Sequence, residues 1–490
     1  MNKLFLPFLL FLFIGISVSG QDKTALYYAN LIDSAQLKTT LSMLASDEFG
    51  GRGSGQPGET KTIQYIASLL KEKKITPANN GSYFQNIEAF NTSERDQRFV
   101  FNNYAYTNDF VYRNTSKQDS VLQASEIIFV GYGQYSRSFN EFAGIDIKDK
   151  IIMKISETPV NKFGIAYSLD NQSHKYLEAN PPKAIIDIQQ GFRMFSSWIE
   201  SVVYSESEGV PYIQINELLA NNILNTVGKT VKQIAYETEK SGSPVTQIIP
   251  FPVTIGGNFR YKNAGANNVI GVIEGSDLKD EYVVLSAHHD HLGTSYSRIY
   301  NGADDNASGV SALLEIGNIL AKAKKEGKGP RRSVILLFPS AEEKGLFGSE
   351  YYVKNPIFPL EKTIACVNLD MLGRIDFNYE NKGNHYVYLI NQNSGYLPHL
   401  AESINKNTLN LTLDFGKNNW FYQSDQYNFS KERIPSIMLS SGEHKDYHES
   451  TDDVEFIDFD GLHKRTKLAF LIAWELANKS NFDEFIMNTY

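Results

Sequence analysis

The 490-residue chain has one cysteine, Cys366. Without a second thiol no intramolecular disulfide can form, so stability has to come from buried apolar surface. Cys366 stands in the apolar run "TIACVNL" (363–369), where a buried, inert thiol is the expectation rather than a nucleophile. Positive charge is in deficit: 47 Lys and Arg against 56 Asp and Glu give a formal charge of −9. Such a surface does not suit nucleic acid or anionic lipid. Beyond residue 20 no stretch is apolar enough to span a bilayer. Neither G-x-S-x-G nor H-E-x-x-H occurs, which removes the serine-hydrolase elbow and the single-zinc protease helix. There is no internal repeat and no low-complexity tract.

What is present begins with "MNKLFLPFLLFLFIGISVSG" (1–20): one Lys, an apolar run, then small residues. That outline is a secretory signal peptide. Export of a chain with one cysteine points to a bacterial periplasm or outer surface. The length exceeds what one hydrophobic core serves, so a second module is expected. Leucines 37, 41 and 44 and, after the glycine loop "GGRGSGQPG", Ile63, Ile66, Leu69 and Leu70 fall at helical spacing and predict two helices over 36–73. From 105 to 250 the texture is β-rich, with "SEIIFVGYG", "KIIMKI", "KAIIDI" and "GVPYIQI" between polar loops. Residues 21–104 and 251–490 then form one α/β unit around that insert. In its second part strands and helices alternate, which predicts a mostly parallel central sheet sandwiched by helices.

In such sheets function gathers where the strands end. "YVVLSA" leads into "HHDH", holding three of the nine histidines, "SVILLFPSA" into Glu342 and Glu343, and "TIACVNL" into Asp370. "IPSIMLSS" leads to His444, Asp446 and His448, and "NGADDNASG" opens the helix after the first of these strands. Each pair alone reads as a solvated loop or cap. Their convergence reads as a site for two divalent ions sharing a carboxylate, because oxygen donors outnumber imidazoles. Two such ions polarise a carbonyl and acidify a water, and a further carboxylate takes the water's proton. On an extended strand exit His288 and Asp290 point one way and His289 and His291 the other. His289 is then expected to cover the flank of the site or meet solvent, and His291 to fix the loop before Gly293.

"AHHDHLG", "NGADDNASG", "SAEEKGLFGSEYYV", "VNLDMLGR" and "DYHESTDD" occur in the order and approximate spacing of the M28 di-zinc aminopeptidases, which the chain resembles. Upstream, "LASDEFGGRGSGQPG" is similar to that family's N-terminal helical segment. "FVGYGQ" and "FAGIDIKDKIIMKI" are similar to an inserted protease-associated domain. The resemblance implies a phosphorylase/hydrolase-like α/β fold, two Zn2+ ions and a peptide substrate. It implies His288 and Asp370 as ligands of one ion, Asp305 as the bridge, and Glu343 and His448 as ligands of the other. Glu342 is implied as general base and Asp290 as the residue that orients the imidazole of His288. Asp304 is left as a loop or cap residue, and Ser424 and Asp425 stay open as turn residues. Gln426 stands where many members have histidine, which puts a pocket role for that loop in doubt. Tyr422 and Tyr447 are within reach of a substrate carbonyl or serve as packing. His174, His385, His399, His444 and His463 are expected to be structural or solvated. A carboxypeptidase or dipeptidase remains an alternative, as do a glutaminyl cyclase and a non-catalytic binding protein, although no ligand of the set is missing.

Overall fold

The computed structural model describes residues 23–482 except 88, 107–108, 114–119, 137–138, 157–171, 190–200, 205–209, 264, 296–297 and 393–394. The expected signal peptide at 1–20 lies outside the described residues. No helix among those described is long and apolar enough to cross a membrane.

Nine strands form the central sheet: β1 (Thr76–Pro77), β2 (Phe84–Asn86), β3 (Asn267–Ile273), β4 (Leu278–Ser286), β5 (Arg332–Phe338), β6 (Thr363–Leu369), β7 (Tyr386–Ile390), β8 (Thr412–Asp414) and β9 (Ser436–Ser440). Their order is β1-β3-β5-β4-β6-β9-β7-β8, with β2 beside β3. The sheet is mixed. Strands β5, β4, β6 and β9 run parallel at its centre, β3 and β7 pair antiparallel to either side of that block, and β8 is parallel to β7. Every residue of β5 and β9 is buried, the signature of strands covered on both faces.

One face packs under helices α1 (Ser34–Leu44), α2 (Pro57–Glu72), α3 (Gly309–Lys325) and α5 (Phe459–Asn478), and the other meets α4 (Phe347–Lys354). Helix α2 shows why these segments coil. Pro57 opens it, and Ile63, Ile66, Ala67 and Leu70 form one buried stripe at three- and four-residue spacing. The α5 segment places Leu468, Leu471, Ile472 and Leu476 against the same core. On the opposite face Cys366 is buried beside Val284, Ile335 and Leu337. Burial pushes its thiol far up, and the group is inert.

The β-rich stretch builds sheets of its own. Strands at Ile127–Val130, Ile151–Ile155, Ala184–Ile188 and Tyr212–Ile215 run parallel in a six-stranded sheet, and Ala89–Phe101 and Val253–Asn263 pair in a separate five-stranded one. Phe99, Tyr112, Phe129, Met153, Ile186 and Ile213 form a core distinct from that of the central sheet.

Glu59, in the first turn of α2, is buried at 2 % exposure; it accepts from the Gly55 amide at 2.6 Å and from the Ser340 hydroxyl. Burial pushes its carboxyl up from 4.5 to about 7. The folded state therefore holds this proton more tightly than the unfolded chain between those values. Its stabilising contribution is full below about 4.5 and is lost as pH rises through about 7. The stability of the wild type relative to Glu59→Gln is expected to fall by on the order of 3 kcal/mol across that window. Urea unfolding of both proteins from pH 5 to 8 checks it, and parallel profiles would refute it.

Candidate metal centre

The parallel block β5-β4-β6-β9 sends four chain exits to one edge of the sheet, so residues far apart in sequence meet there. Residues 287–293 follow β4, Glu342 and Glu343 follow β5, Asp370 directly follows β6, and the loop with His448 follows β9. Asp305 enters from the irregular turn Ala303–Ser308 that opens α3. Gly302 permits that turn: its φ is +54°, and a Cβ there would lie 2.1 Å from the Asp305 carbonyl and 2.5 Å from the His291 ring. Ala341, Met371 and His448, each next to or within the donor set, also adopt positive φ.

The Asp305 carboxylate faces two ways. Its Oδ1 is 3.4 Å from His288 Nε2, which is also 3.4 Å from Asp370 Oδ1. Its Oδ2 is 3.2 Å from His448 Nε2 and 3.5 Å from His291 Nδ1. Glu343 meets His448 at 3.3 Å and His291 at 2.7 Å. Two donor groups result, His288 with Glu342 and Asp370, and His291 with Asp305 and Glu343, the donor atoms of each lying within 4.8 Å of one another. Buried imidazole and carboxylate donors at this spacing, with carboxylates in excess, fit divalent cations.

The adjacent glutamates have opposite electrostatics. Burial, helped by Glu343, Asp370 and Asp425, pushes the Glu342 carboxyl well up, against the pull of His288. Glu343 is equally buried, yet His291 and His448 hold it well below the usual carboxylate range. Glu342 lines the open cavity, whereas Glu343 does not. One side chain is thus suited to carrying a proton and the other to staying ionised.

Asp290 is fully buried. Its carboxylate accepts from Ser54 Oγ at 2.7 Å and from the Glu342 amide at 3.1 Å, and it stands 3.8 Å from His288 Nδ1. The nearer acceptor for that ring nitrogen is Asp290's own carbonyl, at 3.2 Å. The residue therefore aligns the imbedded imidazole through its backbone and the Glu342 segment through its side chain.

His291 departs from the strand-alternation expectation. The β4 ladder ends at Ser286, so period-two alternation stops before residue 291, and His291 turns into the acidic cluster instead of bracing the loop before Gly293. His289 is wholly buried, its Nε2 lying 3.0 Å from the Asn267 carbonyl oxygen, and burial drops it to about 4, so it is neutral and away from solvent.

Several supporting residues gave no separable signal within their motifs. Arg52, from "GRGSG", is buried with its guanidinium donating to the carbonyls of Leu44, His289, Asn301, Gly302 and Asp305. Asp452 accepts from the amides of Asp304 and Asp305 and lies 3.4 Å from Arg374. Asp304 accepts from the Gly373 amide and lies 3.4 Å from His444, so both are buried anchors. Ser424 donates to Asp370 at 2.6 Å. Asp425 is fully buried beneath the site, and burial raises it to about 7. Gln426 binds Asn368 and the Phe421 carbonyl, an internal role. Tyr447 stacks on His448 at 3.8 Å and lines the cavity, whereas Tyr422 is exposed and bonds Gln392. Of the remaining histidines, His385 and His463 bond the carbonyls of Asn410 and Ile32, and His174 and His399 face Glu178 and Glu402 at the surface.

Residues 268–473, which hold all these donors, match the model of Peptidase family M28. That stretch is similar to the family M28 peptidases. Aminopeptidase YwaD of Bacillus subtilis is 26% identical over 231 residues, 45% of this chain and 46% of that protein. A probable glutamate carboxypeptidase, LAMP1 of Arabidopsis thaliana, is 41% identical over 108 residues, 22% of this chain and 15% of its own. The chain thus spans less than half the length of these relatives. The likeness of fold extends further: an aminopeptidase from Aneurinibacillus sp. strain AM-1 superposes with a TM-score of 0.57 at 16% identity, covering 94% of this chain and 97% of that one. The zinc aminopeptidase BSAP of Bacillus subtilis gives 0.52 at 19%, covering 92% and 96%.

Arg52, upstream of the matched stretch, ties the 287–293 loop to the Asp305 turn. Lysine offers a point charge where five carbonyls converge, so Arg52→Lys is expected to destabilise the metal-free protein by about 3 kcal/mol. Denaturant unfolding measures this, and a loss under about 1 kcal/mol would contradict it. His291→Ala is expected to weaken zinc binding at the Glu343 side by about 10- to 100-fold, with His289→Ala near wild type. Zinc titration with a competing chelator separates the two, and equal losses would count against the geometry.

Proposed function

We propose that this protein is an exported aminopeptidase that removes N-terminal residues from peptides and holds two zinc ions. The observation that carries the reading is the Asp305 carboxylate turned to His288 and Asp370 on one side and to Glu343 and His448 on the other. His288, Asp305 and Asp370 would hold one ion, and Asp305, Glu343 and His448 the other. When bound, the ions supply Lewis acidity, polarising a carbonyl and acidifying a water. Glu342, lining the cavity, takes the proton of the attacking water and returns it to the departing amine. Asp290 keeps the Glu342 backbone and the His288 ring in register with each other. The residues around 105–250 form a lid or substrate-access module, a reading supported by the sheets and the separate core that this stretch builds for itself. The leader at 1–20 supports export to a bacterial periplasm or cell surface.

A panel of free and N-acetylated peptides read by mass spectrometry tests the reading. Stepwise loss from free amino ends alone supports it; loss from the carboxyl end, or equal cleavage of acetylated peptides, overturns it. Glu342→Gln is expected to retain both metals and to lose roughly 10²- to 10⁴-fold in turnover. Elemental analysis beside the rate checks this, and a variant that lacks a metal but keeps its activity per metal would reverse the roles of Glu342 and Glu343.

A further inference from the structure

The donor groups open onto a cavity of about 280 Å3 whose remaining walls have a chemistry of their own. Met371, Met438 and Trp420 supply apolar surface, and Ser424 and Ser440 supply hydroxyls. Four carboxylates line it among the described residues: Asp305, Glu342, Asp370 and Glu443. Three of them belong to the metal donors or the base. Glu443 belongs to neither.

Glu443 is half-buried and its backbone is fixed on both sides. Its amide donates to Asp376 Oδ2 at 2.9 Å, and its carbonyl accepts from the Phe377 amide at 3.3 Å. Asp376 is itself buried and held by the Asn378 amide and the Tyr388 hydroxyl. The backbone is therefore held at the cavity wall, and no described Lys, Arg or His side chain lies within ion-pair distance of the Glu443 carboxylate. Basic residues nearby are occupied elsewhere: His444 lies 3.4 Å from Asp304, Lys417 sits 3.7 Å from Asp376 and 4.3 Å from the Trp420 ring centre, and Lys445 lies over Phe456. An apolar side chain filling this cavity would strip water from Glu443 and give nothing back. A long side chain with an apolar stem and a cationic end satisfies both kinds of wall, the stem on the methionines and indole and the charge on the carboxylate.

We infer that Glu443 is a specificity-determining residue that selects peptides whose N-terminal residue is lysine or arginine. The inference rests on the aminopeptidase reading above and names its substrate class. A site built to pair a charge rejects the analogue that lacks it, because the site's own charge is left unpaired. Norleucine is that analogue for lysine, with the same stem and no ammonium. Acidic N-terminal residues are excluded by like charge.

The test uses the zinc-loaded, full-length enzyme with the 4-nitroanilides of lysine, arginine, norleucine, leucine and glutamate. The wild type is expected to favour lysine over norleucine in kcat/KM by about 10- to 100-fold. Glu443→Gln should collapse that ratio towards one, and Glu443→Lys should invert the order of lysine and glutamate. Norleucine or leucine cleaved as well as lysine by the wild type overturns the inference while leaving the aminopeptidase reading standing. A Glu443→Gln enzyme that loses all five substrates equally also overturns it, since the carboxylate would then serve the shared α-amino group or the fold. An enzyme that cleaves none of the amides fails the aminopeptidase reading. Side-chain selection is then decided by calorimetry with L-lysinamide and L-norleucinamide: tighter lysinamide binding that Glu443→Gln abolishes supports it, and equal affinities overturn it.

Discussion

The Arg52 guanidinium is the constraint on which the rest of the site depends. It is sealed in the interior and reaches five main-chain carbonyls drawn from three separate segments. Carbonyls are the right partners for this task. A carboxylate would have neutralised the cation locally, whereas carbonyl dipoles leave its field to act on Asp305, Asp452, Asp290 and Glu343 around it. Burial pulls Arg52 down only to about 10, so it remains charged at neutral pH. The same bonds fix the loop after β4 against the turn before α3. That pairing sets the distance between His288 and Asp305.

Around this anchor the acidic residues separate into those that are held and those that are free to act. Asp452 and Asp304 spend their oxygens on amides, Asp370 is pinned by Ser424, and Asp290 is pinned by Ser54 and the Glu342 amide. Glu342 and Glu443 line the cavity instead. So dense a set of buried carboxylates repels itself, and imidazoles, the guanidinium and divalent ions are the charges that make it tolerable. Stability and chemistry therefore share the same ion sites, and metal loading is expected to couple to both.

Much of this was legible beforehand. Strand exits pointed to "HHDH", Glu342 and Glu343, Asp370, the 444–448 loop and "NGADDNASG", because parallel strands bring their carboxyl ends to one edge whatever their order along the chain, and the family resemblance selected His288, Asp305 and His448 among them. Helix positions followed from the spacing of leucines and isoleucines, and the burial of Cys366 from its apolar run. His291 was misjudged because alternation was extended past the end of a ladder. Arg52 and Asp452 were passed over because most of their partners lie about 150 to 250 residues away and are main-chain atoms, which carry no sequence signal.

The sequence by itself determined the residue types, their order and the alternation that forces a helix-covered sheet, since periodicity and chemistry are local properties. It also determined that the site would be rich in oxygen donors. Only the tertiary structure decided that the sheet is mixed, with its parallel block confined to β5, β4, β6 and β9. It alone decided that Asp290 meets His288 through a carbonyl and that Glu443 reaches the cavity. These outcomes depend on where loops from distant strands cross, and crossing is set by the packing of the whole core rather than by any segment's own preference.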